Sequence, residues 1–360
     1  SMTRFLLAGG GTAGHVNPML ALAQNLREQG HYVIALGTKE GLEARLVPER
    51  GFELFYISRL PLPRRLSVKA LAYPLRFLRA VFAVNKIVKT QKIDAVVGFG
   101  GYASAPAYVS AFLKRKPLII HEANAIAGFA NRLGARFTKN VAVAFENSNL
   151  RNAQLTGMPI RQEIMDSVHS YDKGQARIEL GLDPMMPTLL VTGGSLGAKR
   201  INETIAHSLE RLIAAGIQVL HIVGERANLG EYSEAGYTRM AYCSRMDAAI
   251  AAADFAVSRA GASTVSEFSA AGLPAVYIPY PVGNGEQRLN AQTVVAAGGG
   301  LICLDKDFTP EFVLSELIPL ISHAKTLNKM QAAAMSVGIS DATLRLSVLV
   351  LEAVDTYSRD

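Results

Sequence analysis

Cysteine is scarce in this 360-residue chain: only Cys243 and Cys303 occur. Two thiols without metal-ligand spacing build neither a zinc site nor a disulfide framework, and they fit a reducing compartment. Charge is sparse as well, at 19% against 49% hydrophobic residues, which excludes a disordered chain. No apolar run reaches the ~18–20 uncharged residues that span a bilayer. The first residues read as a strand rather than as a signal peptide. A Gly-x-x-x-x-Gly-Lys-Ser/Thr loop is missing, which argues against an ATPase or kinase of that class. Acids are missing from residues 58–92, where nine of the 37 Lys and Arg fall (Arg59, Arg64, Arg65, Lys69, Arg76, Arg79, Lys86, Lys89, Lys92). The other 28 face 30 acids, so one segment carries the net charge of +7. Such a segment seeks anionic lipid, nucleic acid or an acidic partner.

What is present is a strand–helix alternation, run through twice. Arg4–Ala8, Tyr32–Leu36, Leu54–Ile57, Ala95–Phe99, Leu118–His121 and Asn140–Ala144 read as strands. Pro18–Gln29, Ser67–Thr90, Ala105–Leu113 and Ala127–Ala135 between them read as helices. The pattern restarts with strands at Thr188–Thr192, Gln218–Val223, Phe255–Ser258 and Ala275–Ile278. Their helices are Arg200–Ala214, Met246–Ala253, Thr264–Ala271 and Gln287–Ala297. The expectation is an α/β protein with two parallel-sheet domains, the boundary falling in the proline-containing stretch Gly157–Pro187.

Each half opens with a strand, a Gly-rich loop and a helix. The loops are Gly9-Gly-Gly-Thr-Ala-Gly-His15 and Gly193-Gly-Ser195-Leu-Gly-Ala198. Glycines admit close backbone approach, and a helix N-terminus stabilises an anion, so both loops suit a phosphorylated ligand. The first contains Gly-x-Gly-x-x-Gly, but the second strand ends Leu36-Gly37-Thr38 without the acid of a dinucleotide reader, which disfavours NAD. His15 suits either a cap or a general base. Gly98-Phe-Gly-Gly-Tyr102-Ala-Ser104 and His121-Glu122-Ala-Asn124 end strands in polar residues, either as turns or as ligand contacts. Glu267 suits either a helix cap or the acceptor of a ribose diol. Asp305-Lys-Asp307 matches the pattern of metal-dependent sugar transferases but lies in a late loop, far along the chain from either glycine loop, so no metal is expected. Leu66, Ala70, Tyr73, Phe77, Ala80 and Val84 follow helical spacing among the cations of the basic segment. Either core packing with a solvated rim or a helix resting on an anionic membrane would read so. Nucleic acid lacks a supporting motif.

In order along the chain, Gly9–His15, Gly100-Gly-Tyr102, His121–Asn124, Gly193–Gly197, Gly261–Glu267 and Gln287 to Asn290 resemble the MurG family. These are the family-28 glycosyltransferases of bacterial peptidoglycan synthesis, and the resemblance covers essentially the whole chain. It implies a GT-B fold, two Rossmann-like domains with parallel sheets facing a deep cleft. Residues 2–157 would form the acceptor and membrane-docking domain and 158–340 the UDP-GlcNAc-binding domain. Residues 341–357 would form a helix returning to the first domain. It also implies inverting transfer of GlcNAc from UDP-GlcNAc to the MurNAc 4-hydroxyl of undecaprenyl-linked lipid I, giving lipid II, without cofactor or metal. His15 and Glu122 would be catalytic. Thr12, Ala13, Gly14, Asn124, Arg161, Ser195, Glu267 and Gln287 would hold UDP-GlcNAc, and Tyr102 and Asn131 would lie on the acceptor side. Residues 58–92 would dock on the cytoplasmic face of the bacterial inner membrane, with cell-wall synthesis proteins as further partners. Met158, Ala123 and Glu286 depart from the family's pattern. A soluble-acceptor glycosyltransferase, a UDP-GlcNAc epimerase and a non-catalytic lipid- or nucleic-acid-binding module stay open beside this reading.

Overall fold

In the computed structural model, which describes residues 2–63, 65–193, 198–283 and 285–359, the first strand already sets the architecture. β1 (Arg4–Ala8) sends Phe5 and Leu7 to one face of its sheet and Leu6 and Ala8 to the other. A strand that is apolar on both faces must be covered on both, the signature of a parallel sheet inside two helix layers. The sheet is completed by β2 (Tyr32–Gly37), β3 (Glu53–Tyr56), β4 (Ala95–Gly98), β5 (Leu118–Glu122), β6 (Asn140–Val143) and β7 (Ala153–Leu155). All pairings are parallel, in the order β3-β2-β1-β4-β5-β6-β7. The covering helices are α1 (Ala13–Glu28), α2 (Glu43–Glu49), α3 (Val68–Thr90), α4 (Ser104–Leu113) and α5 (Phe129–Gly134). Val16, Met19, Leu20 and Leu26 of α1 pack on the Phe5 face, and Ala80, Val84 and Val88 of α3 with Ala107 and Tyr108 of α4 on the Leu6 face.

The chain divides into two compact units, Ser1–Arg161 with Asp341–Asp360, and Gln162–Ser340. The second unit holds α6 (Gln162–Ser170), α7 (Lys173–Glu179), β8 (Thr188–Thr192), α8 (Lys199–Ala214), β9 (Gln218–Ile222), β10 (Tyr232–Glu234) and β11 (Tyr237–Met240). There follow α9 (Met246–Ala252), β12 (Phe255–Ser258), α10 (Ala262–Ala271), β13 (Ala275–Tyr277), α11 (Glu286–Ala296) and β14 (Gly300–Ile302). The unit closes with α12 (Pro310–Phe312), α13 (Ile318–Ser322) and α14 (Ala324–Val337). Its sheet runs β10-β11-β9-β8-β12-β13-β14, parallel except for the β10–β11 pair. The last helix, α15 (Ala342–Arg359), belongs to the first unit, where Leu346, Val350 and Ala353 join the core beneath α1.

Both sheets reverse their winding once, between β1 and β4 and between β8 and β12. In open α/β sheets the carboxyl ends of the strands flanking such a reversal leave room for a ligand. The strands expected from the sequence all form, most within a residue of their expected ends. Helix α1 starts earlier than expected, at Ala13, which places Pro18 inside it rather than in its first turn. Pro18 has no N–H to return to the Gly14 carbonyl, so the start of α1 is less tightly bonded than an ordinary helix. The short elements β7, β10, β11 and β14, and the helices α2, α6, α7, α12, α13 and α14, were not legible from periodicity.

Candidate functional site

At the reversal of the first unit three loops meet. Gly9 follows β1, Phe99–Ala103 follows β4, and the segment after Glu122 follows β5. A Cβ on Gly101 would lie 2.7 Å from the Gly10 carbonyl, so the first two loops touch through backbone alone. Ser104, buried at the start of α4, donates to the carbonyls of Ala8 (3.1 Å) and Gly100 (2.8 Å) and clamps them together.

The third loop is organised by Glu122 and Asn131. The Glu122 carboxylate is 2% exposed; its Oε1 accepts from Gly128 N (2.8 Å) and Asn131 Nδ2 (3.2 Å), and Oε2 accepts from Asn124 N (3.1 Å). Asn131, 1% exposed, also donates to His121 O (3.1 Å), while its Oδ1 accepts from the Tyr108 hydroxyl (2.6 Å). That hydroxyl in turn accepts from Gly100 N (3.3 Å). Burial holds the Tyr108 phenol well above its ordinary pKa, so it stays a donor. Glu122, expected to be catalytic, and Asn131, expected on the acceptor side, are both engaged in bonds that shape the loops. Tyr102 differs, being 44% exposed with the Arg59 guanidinium 5.4 Å above its ring.

His15 is the half-buried third residue of α1, and its Nδ1 lies 2.9 Å from Gly10 O. A carbonyl only accepts, so Nδ1 carries the proton and Nε2 the lone pair. Nε2 lies beside Gly100, where a Cβ would stand 3.2 Å from it and 3.4 Å from Asn131 Nδ2. Thr12 is the exposed N-cap of α1, and its side chain makes no capping bond. Ala13 and Gly14 follow in the first turn, half-buried, where a helix has no carbonyl four residues back for its amides. Asn124 and Arg161 are half-buried too, and Arg161 ends the first of the two segments that make up the first unit.

Sequence reading overlooked Glu43. Its carboxylate is fully buried; Oε1 accepts from Gly11 N (2.9 Å), and Oε2 accepts from Thr38 N (2.8 Å) and Thr38 Oγ1 (3.4 Å). A Cβ on Gly10, Gly37 or Gly41 would overlap this side chain. The acid missing from the end of β2 arrives instead from the start of α2. The one sequence signal was the pair of glycines, Gly37 and Gly41, just ahead of it.

In the second unit the carboxyl edge of the sheet is fastened by side chains. Gln287 Oε1 accepts from Ala260 N (3.2 Å) and Tyr280 N (2.8 Å), and Asn290 Nδ2 donates to Ala260 O (3.2 Å). Arg259, nearly buried, pairs with Asp305 at 2.7 Å. The Asp305-Lys-Asp307 loop, remote in sequence, therefore sits against the turn after β12 as an ion-pair partner. Glu267 lies in the second turn of α10. The residue is half-buried, and desolvation raises the pKa of its carboxyl to about 7. Ser195 lies outside the described residues. On its flanks, a Cβ on Gly193 would overlap that of Ala198, so glycine lets α8 start close on β8.

The profile of the glycosyltransferase family 28 N-terminal domain matches residues 5–143, and that of the family 28 C-terminal domain matches residues 188–346. A protein of Leifsonia xyli is 53% identical over 351 residues, 97% of this chain and 98% of the relative. One of Clavibacter sepedonicus is 51% identical over 356 residues, 98% and 97% of the two chains. Both are named UDP-N-acetylglucosamine–N-acetylmuramyl-(pentapeptide) pyrophosphoryl-undecaprenol N-acetylglucosamine transferase. Among solved structures, Acinetobacter baumannii MurG superposes with a TM-score of 0.80 at 30% identity, over 98% of this chain and 100% of that one. The glycosyltransferase of kitacinnamycin shares the fold at a TM-score of 0.72 and 17% identity, over 98% and 99%.

Tyr108→Phe tests the loop scaffold. It leaves Asn131 Oδ1 buried without its donor, which costs about 1–3 kcal/mol. Urea denaturation should register that loss, and a variant as stable as the parent would remove the Tyr108–Asn131 bond from the account.

Proposed function

The chain belongs to glycosyltransferase family 28, and from that membership we propose that it transfers GlcNAc from UDP-GlcNAc to the MurNAc 4-hydroxyl of undecaprenyl-pyrophosphoryl-MurNAc-pentapeptide. The fold is the two-unit GT-B arrangement of Rossmann-like domains, and the enzyme is an N-acetylglucosaminyltransferase. The observation that carries the mechanism is the imidazole of His15, with its lone pair directed by the Gly10 carbonyl to Nε2. The acceptor oxygen attacks the anomeric carbon, its proton passes to Nε2, and the carbon–oxygen bond to UDP breaks on the opposite face, inverting the configuration. Charge gathers on the departing diphosphate, and helix N-terminal amides with Arg161 and Ser195 would stabilise it. Glu122 and Asn131 shape the acceptor loops, with Tyr102 as their exposed contact. Thr12, Ala13 and Gly14 meet the donor from the first turn of α1, with Asn124 from the loop after β5. Glu267 receives the ribose hydroxyls, and Gln287 supplies its amide group.

The acceptor is a lipid, and the first unit has a surface suited to meet a membrane. Helix α3 carries two stripes. Ala80, Val84 and Val88 face the core, while Val68, Leu71, Leu75, Leu78 and Phe82 are exposed, Leu71 by 79%. Leu66, which begins the apolar spacing read from the sequence, is 98% exposed just ahead of the helix. Phe112 and Leu113, at the end of α4, are exposed as well, just ahead of Lys114, Arg115 and Lys116. Lys39, Arg76 and Arg79 rim an adjoining cavity of about 730 Å³. Apolar stripes bordered by cations suit insertion among anionic headgroups. The apolar stretch Ala324–Arg359 is two helices, α14 and α15, which lend Leu327, Met330, Leu346 and Val350 to the cores. We infer peripheral docking through α3 at the cytoplasmic face of the inner membrane.

Product analysis after incubation with UDP-GlcNAc and a lipid I analogue decides the activity; transfer to water-soluble acceptors alone would reject it. His15→Ala should lower turnover by about 10²–10⁴-fold while UDP-GlcNAc still binds, and near-normal turnover would remove His15 from the chemistry.

Glu267 predicts a pH signature. Desolvation raises its carboxyl pKa to about 7, so below that it carries a proton and accepts from the two ribose hydroxyls more weakly. UDP affinity should therefore weaken as pH falls through 7, by up to about tenfold per unit. Calorimetric titration of Glu267→Gln should give weak binding with no such slope, and a parallel slope in the variant would exclude Glu267 as its source.

Replacing Leu75, Leu78 and Phe82 by Ser should abolish co-sedimentation with phosphatidylglycerol vesicles but leave UDP binding intact. Unchanged sedimentation would move the docking surface elsewhere.

A further inference from the structure

Glu43 and His15 act on the same peptide group. Gly11 N–H, which donates to Glu43 Oε1 at 2.9 Å, and Gly10 C=O, which accepts from His15 Nδ1 at 2.9 Å, are the two ends of one planar amide. Gly11 takes a φ of +90°, and Gly10 has no room for a side chain beside Glu43, so the backbone at this amide is reserved for glycine. A carboxylate drawing on the N–H end of an amide makes its oxygen a stronger acceptor. A stronger acceptor at Nδ1–H in turn makes Nε2 a better base.

We propose that Glu43 is a positioning residue for the transfer: through the Gly10–Gly11 amide it fixes the Nδ1–H tautomer of His15 and raises the basicity of Nε2. The arrangement performs the work of a carboxylate–imidazole pair with a peptide group between its members. It rests on the reading of His15 as the base. Of the other titratable side chains in these elements, Tyr108 and Glu122 bond to Asn131, His121 lies 2.9 Å from the Gly157 carbonyl through Nε2, and Tyr102 is exposed beside Arg59. Glu43 is the carboxylate joined to His15 through a single amide.

Glu43→Gln keeps the size of the side chain but offers one acceptor oxygen where two N–H groups need one each. Turnover should fall about ten- to a hundredfold, with the UDP-GlcNAc KM nearly unchanged. The acid limb of the kcat/KM profile should move to lower pH, because the carboxylate no longer favours the imidazolium. In a His15→Ala background the same substitution should cost nothing further. Normal turnover, an equal loss in the His15→Ala background, or a loss with an unmoved acid limb would each overturn the proposal. Nitrogen-15 NMR of the unsubstituted protein needs neither turnover nor a folded variant. It should show His15 protonated at Nδ1 near neutral pH, and an Nε2–H tautomer overturns the link. Normal turnover of His15→Ala defeats instead the reading of His15 as base, and with it the catalytic consequence given to Glu43.

Discussion

A buried carboxylate must find donors, because desolvation otherwise costs more than a small fold can bear. Glu43 finds the amides of Gly11 and Thr38, and in doing so it fixes the path of the first glycine loop. Gly10, Gly37 and Gly41 lack side chains where Glu43 needs the room. The loop's position then sets the Gly10 carbonyl, the carbonyl sets the tautomer of His15, and the contact of Gly101 with Gly10 brings the loop after β4 into place. Much of what reads as a phosphate cradle is thus a cradle for an internal anion. The Gly11 amide is already taken by Glu43.

The second unit solves the same topological problem with different chemistry. Its sheet also reverses beside the first strand, but side chains hold the edge: Gln287 and Asn290 bond the turn after β12, and the Arg259–Asp305 pair ties in the loop after β14. A buried ion pair is weak evidence for stability, and here its geometry joins two loops that have no strand pairing in common. On α10, desolvation of the Glu267 carboxyl keeps its proton within reach of neutral pH. One fold, used twice, presents a histidine-bearing edge in one unit and a carboxylate-bearing edge in the other.

Helix α3 marks the limit of periodicity as evidence. Apolar residues recur on it at helical spacing around more than one face, so the pattern fits core packing and membrane docking equally. In the structure Ala80, Val84 and Val88 lie against the sheet, while Leu71, Leu75 and Phe82, offset around the axis, are exposed.

By itself the sequence determined the class of fold, the two-fold repetition of strand, glycine loop and helix, and the identity of the residues at the strand ends. These are local properties, written in alternation and in glycine spacing. It also located the basic segment, because charge is a matter of composition. Only the tertiary structure decided which partners each polar residue finds. Glu122 and Asn131, expected at the reacting centre and on the acceptor side, became a hydrogen-bonded frame. Asp305 became the partner of Arg259. Glu43, in no motif, became the residue beneath the first loop, because its donors come from Gly11, 32 positions away, and from Thr38. Hydrogen bonds over such separations leave no period in the sequence; they exist once β1 and β2 lie side by side.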